Sequence, residues 1–144
     1  MTQILVIDDE ESVRVAVKRR LEREGYGVET AAGSEEGIER IGTVEKPFDV
    51  IITDMSMEDP NAGLRVLNAA FARDLFAEVI VMTAYGNVAN AVECMRRGAF
   101  DYIEKNVPGI DSFELLTRKV DLALDRRRRD LRTIALWERS ANEE

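Results

Sequence analysis

The residue pattern predicts a doubly wound α/β domain, with five parallel strands and helices on both faces of the sheet. Three observations predict it. Short runs of β-branched and aliphatic residues recur along the chain, and the most marked are apolar at every position, as in strands covered on both faces. Between them lie segments with apolar residues at helical spacing, so strand and helix alternate five times; such alternation calls for a parallel sheet joined by right-handed crossovers. The length, 144 residues, suits one domain, and a chain of ~150 residues buries roughly 68–70% of its unfolded surface.

The elements follow in order. Residues 4–7 (Ile-Leu-Val-Ile) form the first strand. Val13, Val17 and Leu21, four apart after Ser12, mark the first helix, and Gly25 stands where it stops. Residues 28–31 read as a further strand. Ser34 before Glu35 and Glu36 reads as an N-cap with acid in the first turn, where it complements the helix dipole. Residues 50–53 are the next strand, and Leu64, Leu67 and Phe71 mark the third helix. Residues 79–82 are a fourth strand. Val88, Val92 and Met95 mark the helix after it, capped by Asn87 and ended by Gly98. Residues 102–103 lie in the last strand, and Asp111 with Glu114 three residues on reads as a capping pair opening the fifth helix.

That fifth helix is expected to run on. No Pro or Gly follows Asp111, and at about 1.5 Å per residue the last stretch of the chain projects up to roughly 39 Å. The expected division is a domain over residues 1–124 and a helical extension or linker over 125–144. Leu124, Leu131, Ile134 and Trp137 draw an apolar stripe that Arg126, Arg127, Arg128 and Arg129 interrupt. Four successive arginines on a helix point in all directions, and Asp125 and Asp130 flank them, so this run reads as a solvated helix and not a nucleic-acid contact.

Charge and composition exclude several classes. Lys+Arg number 20 against 28 Asp+Glu, a net −8, which argues against a general nucleic-acid binder. There is no His, so His-based triads and zinc–imidazole sites are excluded, and the single cysteine, Cys94, has no partner for an internal disulfide and reads as buried packing. The first apolar run is stopped at once by Asp8-Asp9-Glu10-Glu11, so it builds neither a signal peptide nor a membrane span. A cytoplasmic protein is expected.

In open α/β sheets, functional groups gather beyond the carboxyl ends of the strands. Here that rule collects Asp8 and Asp9 after the first strand, Asp54 after the third, Thr83 after the fourth and Lys105 after the fifth. Two like charges ~4 Å apart repel by about 4 kcal/mol at an effective dielectric of ~20. Proton uptake, Lys105 or a bound cation must offset this. Hard oxygen ligands on a compact rim suit Mg²⁺, which leaves positions for water and phosphate oxygens. With an ammonium and a hydroxyl beside it, such a rim suits phosphoryl chemistry, with Asp54 as a carboxylate nucleophile.

Four stretches carry a family resemblance: Ile4-Leu5-Val6-Ile7-Asp8-Asp9-Glu10, Asp54-Met55-Ser56-Met57, Val81-Met82-Thr83-Ala84-Tyr85-Gly86, and Gly98-Ala99-Phe100-Asp101-Tyr102-Ile103-Glu104-Lys105. In order and spacing over roughly residues 1–124, the sequence resembles a response-regulator receiver domain of two-component signalling, most like receivers attached to nitrogen-regulator-type output domains. The resemblance implies a flavodoxin-like strand order, 2-1-3-4-5, the order the chemotaxis receiver exemplifies. It implies that Asp54 accepts phosphate from a partner histidine kinase or phosphotransfer protein. Asp9, Asp54 and the Ser56 backbone carbonyl would hold Mg²⁺, with Asp8 acting through water. Lys105 and Thr83 would meet phosphate oxygens, and the N–H groups of Met55 and Ala84 would complete the cradle. Tyr102 would rotate inward as Thr83 moves, remodelling the surface of the fourth helix, fifth strand and fifth helix toward a partner, an output domain or a second copy of the chain. No enzyme acting on outside substrates is implied, only catalysis of the chain's own phosphorylation and slow dephosphorylation.

Two departures from that pattern stand out. Asn106, not Pro, follows Lys105, with Pro108 three residues on. After Asp54, Glu58 replaces an expected Pro in a loop one residue longer than usual. Taken singly, the same residues admit plainer roles: Asp8-Asp9-Glu10-Glu11 as an acidic first turn, Thr83 as a helix cap, Tyr102 as a core aromatic, Tyr85 as a loop aromatic or as a shield for an acyl phosphate. Competing functions are a non-phosphorylated scaffold or dimerisation module, and a phosphohydrolase, for which the Asp-x-Asp motif is missing because Glu10 stands two after Asp8. No Gly-x-x-x-x-Gly-Lys stretch supports a nucleotide-binding loop.

Overall fold

The computed structural model describes residues 1–143. Its elements, in chain order, are β1 (Gln3–Ile7), α1 (Glu11–Arg23), β2 (Gly27–Ala31), α2 (Ser34–Thr43), β3 (Val50–Thr53), α3 (Ala62–Arg73), β4 (Glu78–Thr83), α4 (Val88–Arg96), β5 (Asp101–Glu104) and α5 (Ser112–Glu143). The five strands pair in parallel in the order β2-β1-β3-β4-β5. This is the receiver topology that the resemblance implied.

Alternation within the strands explains why the interiors of β1, β3 and β4 are apolar at every position. Leu5, Ile7, Ile51, Val79 and Val81 face one core, filled by Ile41 of α2, Val66, Leu67 and Ala70 of α3 and Cys94 of α4. Ile4, Val6, Val50, Ile52, Ile80 and Met82 face the other, filled by Val17 and Leu21 of α1 and Leu116, Val120, Ala123 and Leu124 of α5. Successive strand residues point to opposite faces, and in β1, β3 and β4 both faces are covered, so polar side chains are confined to the strand ends, at Gln3, Thr53, Glu78 and Thr83. Cys94 is fully buried, its Sγ 3.7 Å from the Met55 Sδ, the packing role expected of it.

Helix ends agree with the sequence in two places and differ in a third. Asn87 caps α4, its Oδ1 accepting from the Asn90 N–H at 2.7 Å. Asp111 caps α5, accepting from the N–H groups of Phe113 and Glu114 at 3.1 Å each. The Glu114 carboxylate does not reach back to complete a box; it pairs with Arg20 of α1. Ser34 is not the cap of α2. Gly33 is, and Ser34 is the first helical residue, because an acidic side chain from the β3–α3 loop, Glu58, takes over its N–H.

The long fifth helix is present and spans 32 residues, about 48 Å at 1.5 Å per residue. The reading of its arginines as solvated is corrected for two of the four. Arg127 is 8% exposed and forks to Asp49 at 3.0 Å and Asp74 at 2.9 Å, while also donating to the Phe76 carbonyl at 2.8 Å. Arg126 pairs with Glu78, itself 2% exposed, and lies 4.7 Å over the Phe100 ring. Burial pushes the Glu78 carboxyl upward, and Arg126 pulls it back only in part. Sequence separation hid these partners, which lie 48 to 78 residues away. Leu124 is spent in the core, whereas Trp137, 69% exposed, continues the stripe in solvent. Among the described residues no helix is long and apolar enough to cross a membrane.

Candidate functional site

Parallel strands end together, and the rim past the carboxyl ends of β1, β3, β4 and β5 collects the predicted side chains. Asp8 follows β1 and is held by its N–H to the Ala31 carbonyl at 3.1 Å. Asp54 follows β3, held by its N–H to the Ile7 carbonyl at 3.0 Å. Asp8 and Asp54 are 3% and 5% exposed, an unusual depth for carboxylates. What makes this tolerable is Lys105. Its Nζ lies 2.5 Å from Asp8 Oδ2, 3.0 Å from Asp54 Oδ2 and 3.8 Å from Glu10 Oε1, so one ammonium bridges the tips of β1, β3 and β5.

The titration of the two partners follows from this geometry. Burial is the largest influence on Asp8 and raises its carboxyl above the usual range, against the pull of Lys105 and the Glu10 N–H. Burial works against the Lys105 ammonium, but the hydrogen bonds and charges of Asp8 and Asp54 outweigh it, and its pKa is raised. The lysine is therefore charged at neutral pH.

Lys105 reaches this point without a proline behind it. Its backbone N–H donates to the Thr83 carbonyl at 2.8 Å. The Ser112 hydroxyl, first in α5, donates to the carbonyls of Glu104 and Lys105 at 3.1 and 2.6 Å. Ser112 was missed in the sequence because a serine opening a helix looks like any cap-region residue.

Asp9 is exposed beside Asp8, and the carboxylates of Asp8, Asp9 and Glu10 lie within 4.8 Å of one another. Of the cation set read from sequence, Asp8 and Asp9 stand together, joined by Glu10 because the chain turns at Asp8, whose Oδ1 accepts the Glu10 N–H at 2.9 Å; Asp54 meets Asp8 through Lys105. An all-oxygen donor set of this kind suits a hard cation such as Mg²⁺. Thr83 ends β4, 3% exposed, and its Oγ1 lies 3.4 Å from the Tyr85 N–H; it does not cap α4, since Asn87 does. Tyr102 packs against the core, and its hydroxyl is buried near Asn87 and Asn90 without a well-formed hydrogen bond. Tyr85 is exposed.

Gly63 is a second residue the sequence did not single out. Its N–H donates to the Met55 carbonyl at 2.8 Å, and a Cβ there would lie 2.7 Å from the Asp54 carbonyl oxygen and 2.8 Å from the Met55 Cα. Both are backbone atoms, so no side-chain rotation relieves the clash. Gly63→Ala is expected to destabilise the fold by about 1–3 kcal/mol, as overpacking does, and to displace the loop that carries Asp54; urea denaturation checks the first and the rate of phosphoryl acceptance the second.

A doubly wound parallel sheet with buried acids and a bridging lysine on its carboxyl rim has its candidate site where open α/β sheets bind their ligands. Residues 4–117 match the response regulator receiver domain family, and the chain belongs to it. It is thus a receiver domain of the two-component signalling type. It is 31% identical over 132 residues to a putative NtrX-like response regulator of Rickettsia conorii, covering 90% of this chain and 27% of that one. A receiver domain protein from Clostridium thermocellum superposes with a TM-score of 0.78 at 33% identity, covering 89% of this chain and 98% of the other. TrrA of Thermotoga maritima, solved in complex with Mg²⁺–BeF, gives a TM-score of 0.71 at 28% identity, covering 86% and 100%. The chain spans about a quarter of the length of its NtrX-like relatives.

Proposed function

We propose that this chain is a phosphorylation-controlled switch whose phosphoacceptor is Asp54. The observation that carries the reading is the sharing of one buried ammonium, Lys105, between Asp54 and Asp8 at the carboxyl rim of the sheet. An Asp54 carboxylate oxygen attacks phosphorus of a histidine kinase's phosphohistidine, or of a phosphotransfer protein's; the P–O bond forms, the P–N bond breaks, and the imidazole nitrogen takes up a proton. Lys105 meets a phosphate oxygen as the charge on Asp54 passes to the phosphoryl group, and the Thr83 hydroxyl donates to another. The N–H groups of Met55 and Ala84 complete the cradle.

Asp9, Asp54 and the Ser56 carbonyl would hold Mg²⁺, with Asp8 through water and Glu10 close by. When bound, the ion neutralises charge between two anionic reactants. The TrrA complex with Mg²⁺–BeF supports this for a relative of the same fold. Tyr102 is the moving part: its ring packs against the core, and its hydroxyl is buried near Asn87 and Asn90. Movement of Thr83 toward phosphate changes the room available to that ring and remodels the surface of α4, β5 and α5. That surface, or the projecting α5, engages an output domain, a partner protein or a second copy of the chain. The domain turns over no outside substrate, and it works in the cytoplasm.

The test is direct. With Mg²⁺ and a small acyl-phosphate donor, the wild-type chain is expected to gain one phosphate by intact mass, and Asp54→Asn none. Labelling that survives the substitution sinks the assignment. Partner binding indifferent to a phosphate analogue would instead favour a scaffold.

A further inference from the structure

The loop from Asp54 to α3 carries the Ser56 carbonyl, and the bonds inside the loop at Ser56 and Met57 are long. Met57 N–H meets the Asp59 carbonyl at 3.2 Å, Ala62 N–H the same oxygen at 3.4 Å, and the Ser56 hydroxyl the Pro60 carbonyl at 3.5 Å, whereas the shorter bonds hold its two ends: Gly63 N–H to the Met55 carbonyl and Asn61 N–H to Asp59 Oδ1, both at 2.8 Å. A further tie comes from outside. Glu58 leaves the loop and lays its carboxylate on the first turn of α2, where it accepts from the Ser34 N–H at 3.1 Å and from the Ser34 hydroxyl. Gly33 makes room: a Cβ there would lie 3.3 Å from the Glu58 Oε2. A helix N-terminus offers unpaired N–H groups, and a side-chain oxygen of the right reach accepts from them. Arg65 of α3 closes the arrangement, 2.7 Å from Asp59, 3.2 Å from the Ser34 Oγ and 3.6 Å from Glu58.

We propose that Glu58 is a positioning residue for the cation site: by tying the loop to α2 it fixes where the Ser56 carbonyl stands. The inference rests on the phosphoacceptor reading above and adds to it a residue that touches neither phosphate nor metal. Groups that orient metal ligands from behind commonly change metal affinity by 10–100-fold when removed. In this loop the orienting group comes from two residues along the chain and takes its support from another element.

Two variants separate reach from charge. Glu58→Asp keeps the charge and shortens the arm; Glu58→Gln keeps the arm and removes the charge. Calorimetric titration of the full chain with Mg²⁺ is expected to show Glu58→Asp about tenfold weaker than wild type and Glu58→Gln within about twofold of it. Amide hydrogen exchange without metal is expected to be faster over residues 56–61 in Glu58→Asp only, with thermal melting of both variants near wild type. Equal affinity in all three proteins overturns the proposal, as does a Glu58→Gln as weak as or weaker than Glu58→Asp, which would make the effect one of charge. A wild-type chain that binds no Mg²⁺ overturns the cation reading itself and this inference with it, so the two failures are distinguishable.

Discussion

Replacing Lys105 with methionine is expected to cost about 3 kcal/mol of stability in metal-free buffer at neutral pH and to slow phosphoryl acceptance about a hundredfold. The side chains of Asp8, Asp54 and Lys105 are all nine-tenths buried or more, so water screens little of the lost interaction. Methionine fills most of the volume, which leaves two buried carboxylates facing each other without a countercharge. Their repulsion must raise at least one carboxyl pKa above its wild-type position. The sign of the pH dependence follows. A carboxyl whose folded pKa is raised holds its proton more tightly when folded, so the variant's deficit is present above that pKa and shrinks as pH falls through it. In the wild type, the Lys105 pKa is raised above 10.5, so its contribution is full below that pH and is lost as pH rises through the folded value. Urea denaturation of both proteins across pH, with and without Mg²⁺, reads all of this. Mg²⁺ is expected to restore more stability to the variant than it adds to wild type, because the cation there has no ammonium to compete with.

Arg127→Ala is expected to destabilise the domain by about 3 kcal/mol, the scale for removing one partner from a buried ionic group. The guanidinium answers Asp49, Asp74 and the Phe76 carbonyl together, and alanine leaves all three without it. Asp49 also accepts from the Gln3 N–H at 2.9 Å, so the disturbance reaches the start of β1. Arg127→Lys is expected to recover little, since a point charge does not fork to two carboxylates and a carbonyl. Denaturant melts give the energy. Hydrogen exchange gives the location, with faster exchange expected along α5 beyond Leu124 while β1 and β3 stay protected. Equal exchange in variant and wild type would show that apolar packing alone seats this part of the helix.

Much of the molecule was legible in advance because its signals are local. Continuous apolar runs in three strands, the amphipathic spacing between them and the turn and cap residues Gly25, Asn87 and Asp111 depend on neighbours a few residues away. Placing Asp8, Asp54, Thr83 and Lys105 on one rim needed only the rule that parallel strands end on the same side. Where the reading went astray, a distant residue had intervened. Ser34 has every local mark of a cap, but Glu58, 24 residues on, satisfies its N–H and moves the cap to Gly33. Arg126 and Arg127 look solvated beside Asp125 and Asp130 until Glu78, Asp49 and Asp74 are brought under them by the parallel sheet.

The order of residues thus settled which segments are strands and that Asp8, Asp54, Thr83 and Lys105 share one rim, because periodicity and strand direction are properties of the chain itself. Folding in three dimensions settled what neutralises those acids, why Gly63 admits no side chain, how the Asp54 loop is tied to α2 and where α5 is seated. These depend on charges and backbone atoms from remote segments meeting in a space where water no longer screens them, and no local pattern encodes that meeting.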